Sequence, residues 1–144
     1  MPQRIWASLF QAVTTRTAGF ATIPQEDLTN TSAIISVLLM LIGGSPVGTA
    51  GGMKTVTIAV LLVSMFATIG SKEDAELFGR NIPKQAVNKS VAVVGMFFII
   101  ASLSAIFLSA VTDADVIDIV YETVSATATV GLSRNLTSML NLWG

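Results

Sequence analysis

The sequence predicts an all-α membrane protein of helix–pore-loop–helix repeats, with re-entrant pore loops and one broken transmembrane helix. Three observations predict this class. The 144 residues are 52% hydrophobic and only 12% charged, whereas a soluble domain carries about 25% charged residues. Two long apolar stretches are present, and a run of glycines interrupts the first of them. Two half-length helical patterns each precede a short segment that contains glycine.

Residues 1–30 form the first half-length unit. Residues 5–15 would make a helix about 16 Å long, which is half the thickness of a membrane. The segment 17–20, which reads TAGF, follows this helix. A half-spanning helix followed by an extended, glycine-containing segment is typical of a re-entrant pore loop, so we interpret 1–30 as a pore helix with its filter segment.

Residues 31–70 are predicted to make one crossing that an intramembrane loop interrupts, with two short re-entrant pieces as the alternative. A continuous helix over this range would reach about 60 Å, twice the membrane thickness. Glycine and proline break helices, and broken backbone is tolerated at membrane depth only where protein or a water-filled path surrounds it. We interpret 43–55 as a gating loop formed by Gly43, Gly44, Ser45, Pro46, Gly48, Thr49, Ala50, Gly51, Gly52 and Lys54.

The charges predict which way the chain is oriented in the membrane. The connector 71–89 carries four of the Lys and Arg residues, whereas the connectors 21–30 and 112–118 carry only acidic charges. By the positive-inside rule, we expect 71–89 to face the cytoplasm. The uncharged stretch 90–112 would rise about 34 Å as a helix and return the chain outward.

Residues 113–144 contain the second half-length unit, which resembles the first. Residues 116–127 would form a helix about 18 Å long, and TVGL at 129–132 follows it. An aromatic residue, Gln or Glu, valine, and Thr or Ser occur in the same order in both units, about 111 residues apart. The second unit has one extra residue before its glycine. This likeness indicates duplicated units, as in several transport folds.

The two glycine segments carry the chemistry that we predict for a dehydrated cation. TVG at 129–131 matches the start of the TVGYG filter of potassium channels, where backbone carbonyls replace the hydration shell of the ion. Glycine lacks a Cβ and lets the backbone turn its carbonyls inward; an ordinary helix-capping glycine is the alternative interpretation. The predicted ion-binding residues are Thr17, Ala18, Gly19, Phe20, Thr129, Val130, Gly131 and Leu132.

Two charged residues are predicted to support these segments from behind. Arg16 would lie at membrane depth, where charge is expensive and usually functional. A cation in the conduction path would repel other cations, so we expect Arg16 to brace the backbone, with Glu122 as its candidate partner. The alternative is that each side chain reaches water or another part of the chain.

The residue inventory argues against other classes. With no cysteine and no histidine, the chain lacks thiolate ligands, the commonest metal ligand and the commonest general base. We therefore expect no enzyme, no cofactor and no bound metal beyond a transported ion. The sequence contains no cluster of basic residues, so it does not indicate a nucleic-acid partner. Met53 stands where a phosphate-binding loop would need glycine before Lys54, so we expect no nucleotide site there.

Three runs together resemble the membrane subunit of bacterial Ktr-type potassium transporters, in the Trk/Ktr/HKT superfamily. They are VTTRTAGF at 13–20, GGSPVGTAGGMKT at 43–55 and ETVSATATVGLS at 122–133. The resemblance implies four helix–pore-loop–helix repeats around one pore, each with a central filter glycine. Gly19 would be the third filter glycine, Gly131 the fourth, and 43–55 the gating loop of the third repeat.

The resemblance also implies function and partners. It implies potassium uptake across the cell membrane, with sodium as a candidate co-transported ion. It further implies membrane lipid around the protein, a homodimer, and a regulatory cytoplasmic nucleotide-binding ring. Family members have more than twice this length, so we expect a C-terminal fragment that works with the remaining repeats of the same transporter or with full-length subunits.

Two other functions stay open at this point. The first is a non-conducting remnant that associates with full-length transporter subunits. The second is a secondary transporter of a small anion, which would use Lys54 and the N-termini of half-helices as its binding site.

Overall fold

The structure is a computed structural model that describes residues 2–44, 51–70, 75–77 and 79–139. The predicted gating residues Ser45, Pro46, Gly48, Thr49 and Ala50 therefore lie outside the described residues. The elements are α1 (Pro2–Thr14), a 3-10 turn (Gln25–Asp27), α2 (Asn30–Leu41), α3 (Thr55–Ile69), β1 (Glu76–Leu77), β2 (Arg80–Asn81), α4 (Lys84–Val111), α5 (Val116–Thr127) and α6 (Leu136–Met139).

Helix α4 is the one helix of the described part of the chain that is long and apolar enough to cross a membrane. Its 28 residues rise about 42 Å, more than the roughly 30 Å of a hydrocarbon core. It begins at Lys84 rather than at the predicted residue 90, because Pro83 ends the extended chain before it. Only 11% of its most apolar 18-residue stretch is buried, so most of the surface of α4 faces outward.

The range 31–70, which the sequence predicts to be a broken crossing, contains two short helices in the structure. Helix α2 has 12 residues and α3 has 15, so they rise about 18 and 22 Å, and neither spans a membrane alone. Helix α2 ends at Leu41 and α3 begins at Thr55, and the described residues between them, 42–44 and 51–54, are not helical. This interval coincides with the glycine-rich run of the sequence.

Backbone hydrogen bonds close the base of this interruption. The Gly43 N–H donates to the Met53 carbonyl at 2.6 Å, and the Met53 N–H donates to the Leu41 carbonyl at 3.2 Å. Ile42 and Met53 thereby form a parallel bridge. The backbone therefore runs in the same direction at Ile42 and at Met53.

The base of the interruption has no room for side chains. A Cβ added at Gly43 would overlap the Gly51 carbonyl and lie 2.9 Å from the Met53 carbonyl oxygen. Gly52 has φ +67°, and a Cβ there would lie 3.1 Å from the Met40 carbonyl oxygen. Glycine is therefore required at Gly43 because the backbone segments approach closely, and at Gly52 because its φ is also left-handed.

Helix α5 lies at the centre of the packing. It contacts both α2 and α4, and α3 packs against α4. The core joins α5 and the segment after it to α2 and to the end of the interruption. Its buried members are Ala33, Met40, Met53, Phe97, Tyr121, Val124, Ala128, Val130 and Leu132.

The connector contains a small hairpin that is an exception to the all-α prediction. β1 and β2 pair antiparallel, with Glu76 opposite Asn81 and Leu77 opposite Arg80. Gly79 has φ +72° in the turn between them, a conformation that glycine adopts without steric cost. The polar composition of this segment predicts a connector but contains no strand pattern.

Replacing Gly52 by alanine tests the closed base of the interruption, with Gly79→Ala as a matched control. Both glycines have positive φ, which costs an L-residue about 1–2 kcal/mol. A Cβ at Gly79 would lie more than 4 Å from the other described residues beyond its neighbours, whereas at Gly52 it would press on backbone. We expect Gly52→Ala to lower the free energy of unfolding by about 2–4 kcal/mol.

The control Gly79→Ala should lower the free energy of unfolding only by the cost of positive φ, about 1–2 kcal/mol. Denaturant unfolding of the detergent-solubilised chain, followed by circular dichroism, measures both variants. Equal losses in the two variants would contradict the packing at this base.

Candidate functional site

The two predicted filter segments share an unusual backbone geometry. In the first, Thr17 has φ +68° and Gly19 has φ +74°; in the second, Thr129 has φ +56° and Gly131 has φ +84°. Left-handed φ is uncommon for a β-branched residue. The same pattern, a left-handed threonine two positions before a left-handed glycine, therefore relates the two segments beyond their sequence likeness.

A buried hydroxyl on each half-length helix holds the end of its segment. The Thr14 hydroxyl donates to the Phe20 carbonyl at 2.6 Å. The Ser125 hydroxyl donates to the Leu132 carbonyl at 2.6 Å and accepts from the Leu132 N–H at 2.9 Å. The bonded residues are 6 positions apart in the first unit and 7 in the second, which matches the one extra residue in the sequence.

The two segments touch at Gly19. A Cβ on Gly19 would collide with the Val130 carbonyl, and it would lie 3.9 Å from the Cα of Gly131. A Cβ on Gly131 would instead lie more than 4 Å from the other described residues beyond its neighbours. Gly19 is thus required for contact between the segments, whereas Gly131 borders open space.

The end of the interruption lies against the second segment. A Cβ on Gly51 would overlap the Thr129 hydroxyl and come within 2.5 Å of the Ala128 carbonyl oxygen. The structure therefore brings a predicted gating residue to a predicted filter residue. Gly44 and Lys54 are both half-buried, and Lys54 lies immediately before α3.

Glu122 braces the chain that follows the second segment. Its carboxylate accepts from the Ser133 hydroxyl at 2.7 Å and from the backbone N–H groups of Arg134 and Thr137, each at 3.2 Å. The Thr137 hydroxyl also donates to it. These donors hold residues 133–137 to α5, whereas support of the segment 129–132 by Glu122 stays a prediction.

The predicted pairing of Glu122 with Arg16 does not occur within the described residues. Arg16 is exposed, and the ion pair of the described region joins Arg134 to Asp118 instead, with Nε and Oδ1 2.7 Å apart. The two groups meet as charges without the angles of a hydrogen bond. Arg16 lies beyond the end of α1, and the Glu122 carboxylate is instead occupied by donors of residues 133–137.

Arg134 is a residue that the sequence interpretation missed. Its side chain is only 8% exposed, its Nη1 donates to the Leu28 carbonyl at 3.3 Å, and its guanidinium lies 5.9 Å from the centre of the Tyr121 ring. These contacts tie the chain after the second segment to the chain that enters α2. Only the rarity of a cation just after a filter pattern could have indicated it.

A buried amide network also went unrecognised in the sequence. Gln25, in the 3-10 turn, accepts from Gln11 on α1 and from the Tyr121 hydroxyl on α5. The signal that could have found it is the repeat, since Gln11 occupies the position that corresponds to Glu122.

A cavity of about 470 Å³ opens beyond the ends of both segments. It is lined by Ala21, Pro24, Gln25, Glu26, Ser133, Asn135 and Thr137. Within the described ranges, no group of three or more carboxylate, histidine or cysteine side chains could hold a metal ion. The oxygens available along the two segments are therefore mainly backbone carbonyls and threonine hydroxyls.

These features define a class: a helical membrane protein with two half-length helices, each of which carries a tightly held, left-handed backbone segment. The TrkH family profile, described as a cation transport protein, matches residues 1–139, and the chain belongs to this family.

Named relatives agree with this assignment. The chain is 37% identical over 141 residues to the Ktr system potassium uptake protein B of Bacillus subtilis, covering 98% of this chain and 32% of that protein. It is 36% identical to the potassium/sodium uptake protein NtpJ of Enterococcus hirae, covering 99% and 32%. It is 35% identical to the Ktr system potassium uptake protein B of Vibrio alginolyticus, covering 94% and 30%. The chain thus spans about a third of the length of these curated relatives.

Replacing Ser125 by alanine tests the hydroxyl anchor. The change leaves the buried N–H and carbonyl of Leu132 without their partner, and each unsatisfied group costs about 1–3 kcal/mol. We expect the Leu132 amide to exchange hydrogen about tenfold faster or more, as measured by hydrogen–deuterium exchange in detergent.

Thr127→Ala is the control for this measurement. The Thr127 hydroxyl bonds the Thr123 carbonyl of its own helix, so its loss should leave the Leu132 amide protected. Unchanged exchange in Ser125→Ala would mean that other contacts hold the segment.

Proposed function

We propose that this chain contributes two of four filter segments and the gate of a potassium uptake transporter in the cell membrane. One observation carries the proposal: both glycine segments have the same left-handed backbone pattern, and a buried hydroxyl on the preceding helix anchors each of them. The relatives are named as uptake proteins for potassium, or for potassium and sodium. We propose no enzymatic activity and no cofactor.

In this proposal, backbone carbonyls replace the water shell of the ion. Carbonyls that are already fixed in position need little rearrangement when the ion enters, which is the principle of potassium filters. The carbonyls of Phe20 and Leu132 already accept bonds from the anchoring hydroxyls. We therefore assign ion binding to residues 17–19 and 129–131, and we assign Phe20 and Leu132 to anchoring.

The loop 43–55 acts as the gate below the filter. Gly51 lies against Thr129 and Ala128, so this end of the loop adjoins the proposed ion path. Hydrogen bonds at Gly43 and Met53 hold the base of the loop. The remainder of the loop would then block or open the path while the two helices keep their places.

We also propose the membrane topology and partners that the charge pattern and resemblance imply. Residues 71–89 face the cytoplasm, 31–70 and 90–112 cross the membrane, and the predicted pore loops enter from outside. The chain functions together with the remaining repeats, in a dimeric transporter that a cytoplasmic nucleotide-binding ring regulates. Sodium is the proposed co-transported ion.

Growth of a potassium-uptake-deficient bacterium on low potassium tests this function. Residues 1–139 replace the matching third of the Bacillus subtilis Ktr system potassium uptake protein B, expressed with the other components of that system. We expect growth from this chimera and none from the 144-residue chain alone, because two filter segments cannot enclose an ion.

Gly19→Ser and Gly131→Ser in the chimera are the site variants, and both should weaken growth because each adds a side chain at positive φ. Gly79→Ser, at positive φ in the connector hairpin, is the control that should keep growth. Failure of the chimera to support growth, with the protein inserted in the membrane, would contradict the potassium proposal.

Replacement of Lys54 by glutamine separates the cation gate from the anion alternative. If Lys54 borders a cation path, removing its charge lowers repulsion, so potassium-dependent growth should be retained or increased. If Lys54 instead forms the binding site for a small anion, the same variant should abolish transport. Uptake of radioactive rubidium by cells measures the cation path, and uptake of a radioactive small anion such as phosphate measures the alternative. Lys54→Arg, which keeps the charge, is the control.

A further inference from the structure

We infer that Gln25 is a positioning residue that sets the spacing of the two filter segments and thereby discriminates potassium from sodium. This inference rests on the proposed function. It concerns three buried side chains outside the predicted filter and gate: Gln11 on α1, Gln25 in the 3-10 turn, and Tyr121 on α5.

Gln25 uses all of its hydrogen-bonding capacity within this network. Its Oε1 accepts from Gln11 Nε2 at 2.5 Å and from the Tyr121 hydroxyl at 2.8 Å. Its Nε2 donates to the Ile23 carbonyl at 2.7 Å and to Gln11 Oε1 at 3.3 Å. A side-chain amide offers two acceptor sites and two donors, so the side chain has one defined orientation.

Burial makes this orientation strict. Gln25 is 3% exposed, Gln11 is 9% exposed, and Tyr121 is fully buried. Buried polar groups cannot exchange a lost partner for water, so the network resists displacement of any of its three members.

The network joins the two helices that anchor the filter segments. Gln11 lies one turn before Thr14, which holds Phe20. Tyr121 lies one turn before Ser125, which holds Leu132. The bond from Tyr121 to Gln25 spans 96 positions in the sequence, so it links two repeats.

The bond from Tyr121 to Gln25 fixes the distance between the two filter segments, and the proposed ion path depends on that distance. The two segments meet where Gly19 adjoins the Val130 carbonyl, and a shift of α1 relative to α5 would move one segment past the other. Selection between potassium and sodium depends on the arrangement and number of carbonyl ligands around the ion. A loosened link should therefore lower discrimination more than it lowers total transport.

Tyr121→Phe in the chimera tests this inference, because it removes only the hydroxyl and keeps the ring against Arg134. Thr123→Val is the matched control. It also removes one buried hydroxyl from α5, but that hydroxyl bonds the Ile119 carbonyl of its own helix. The readout is the ratio of potassium to sodium uptake per amount of membrane-inserted protein.

We expect Tyr121→Phe to lower the potassium-to-sodium ratio by about threefold to tenfold, which corresponds to one lost hydrogen bond, and Thr123→Val to leave it unchanged. Gln25→Leu should lower the ratio further, and adding Tyr121→Phe to Gln25→Leu should have no additional effect, because both act on one network.

An unchanged ratio in Tyr121→Phe, or an equal change in Thr123→Val, would overturn the inference while leaving the proposed function intact. Loss of abundance alone would scale the uptake of both ions equally and would not move the ratio. A parent chimera that takes up no potassium would instead overturn the proposed function.

Discussion

Backbone that leaves helical geometry in apolar surroundings must find other partners for its N–H and carbonyl groups, and this constraint organises the structure. Between α2 and α3 the partners come from backbone, through Gly43 and Met53. After α1 and α5 they come from hydroxyls, through Thr14 and Ser125. Both solutions leave a non-helical segment that is held at its ends.

The two half-length units solve the same problem with different side chains. In both, a hydroxyl on the helix bonds the end of the segment, and the residue three positions earlier holds the chain that follows. Gln11 does this through the neutral amide of Gln25, whereas Glu122 gathers N–H and hydroxyl donors directly. The Glu122 carboxylate accepts from the backbone N–H of Arg134, whose side chain pairs with Asp118, so the second unit uses charged groups where the first uses neutral amides. The two units therefore share an arrangement of contacts although their residue types differ.

The sequence predicted the features that depend on neighbouring residues. Hydropathy and length indicated α5 at its observed bounds, the interruption between α2 and α3, and the uncharged part of α4. The family, too, was predicted from motifs, and the profile match confirmed it. Pairings between distant residues were not predictable. Arg16 comes directly before its segment and is exposed, whereas Arg134 follows the second segment and is buried against Asp118, and the sequence does not distinguish these two outcomes. The link from Gln25 to Tyr121 likewise exists only once the 3-10 turn lies against α5.

The parallel bridge between Ile42 and Met53 has a mechanical consequence. Backbone hydrogen bonds join the two segments directly, so the end of α2 and the start of α3 are tied to each other and not only through the residues between them. A change in the length of the intervening chain should therefore leave the packing of α2 and α3 in place.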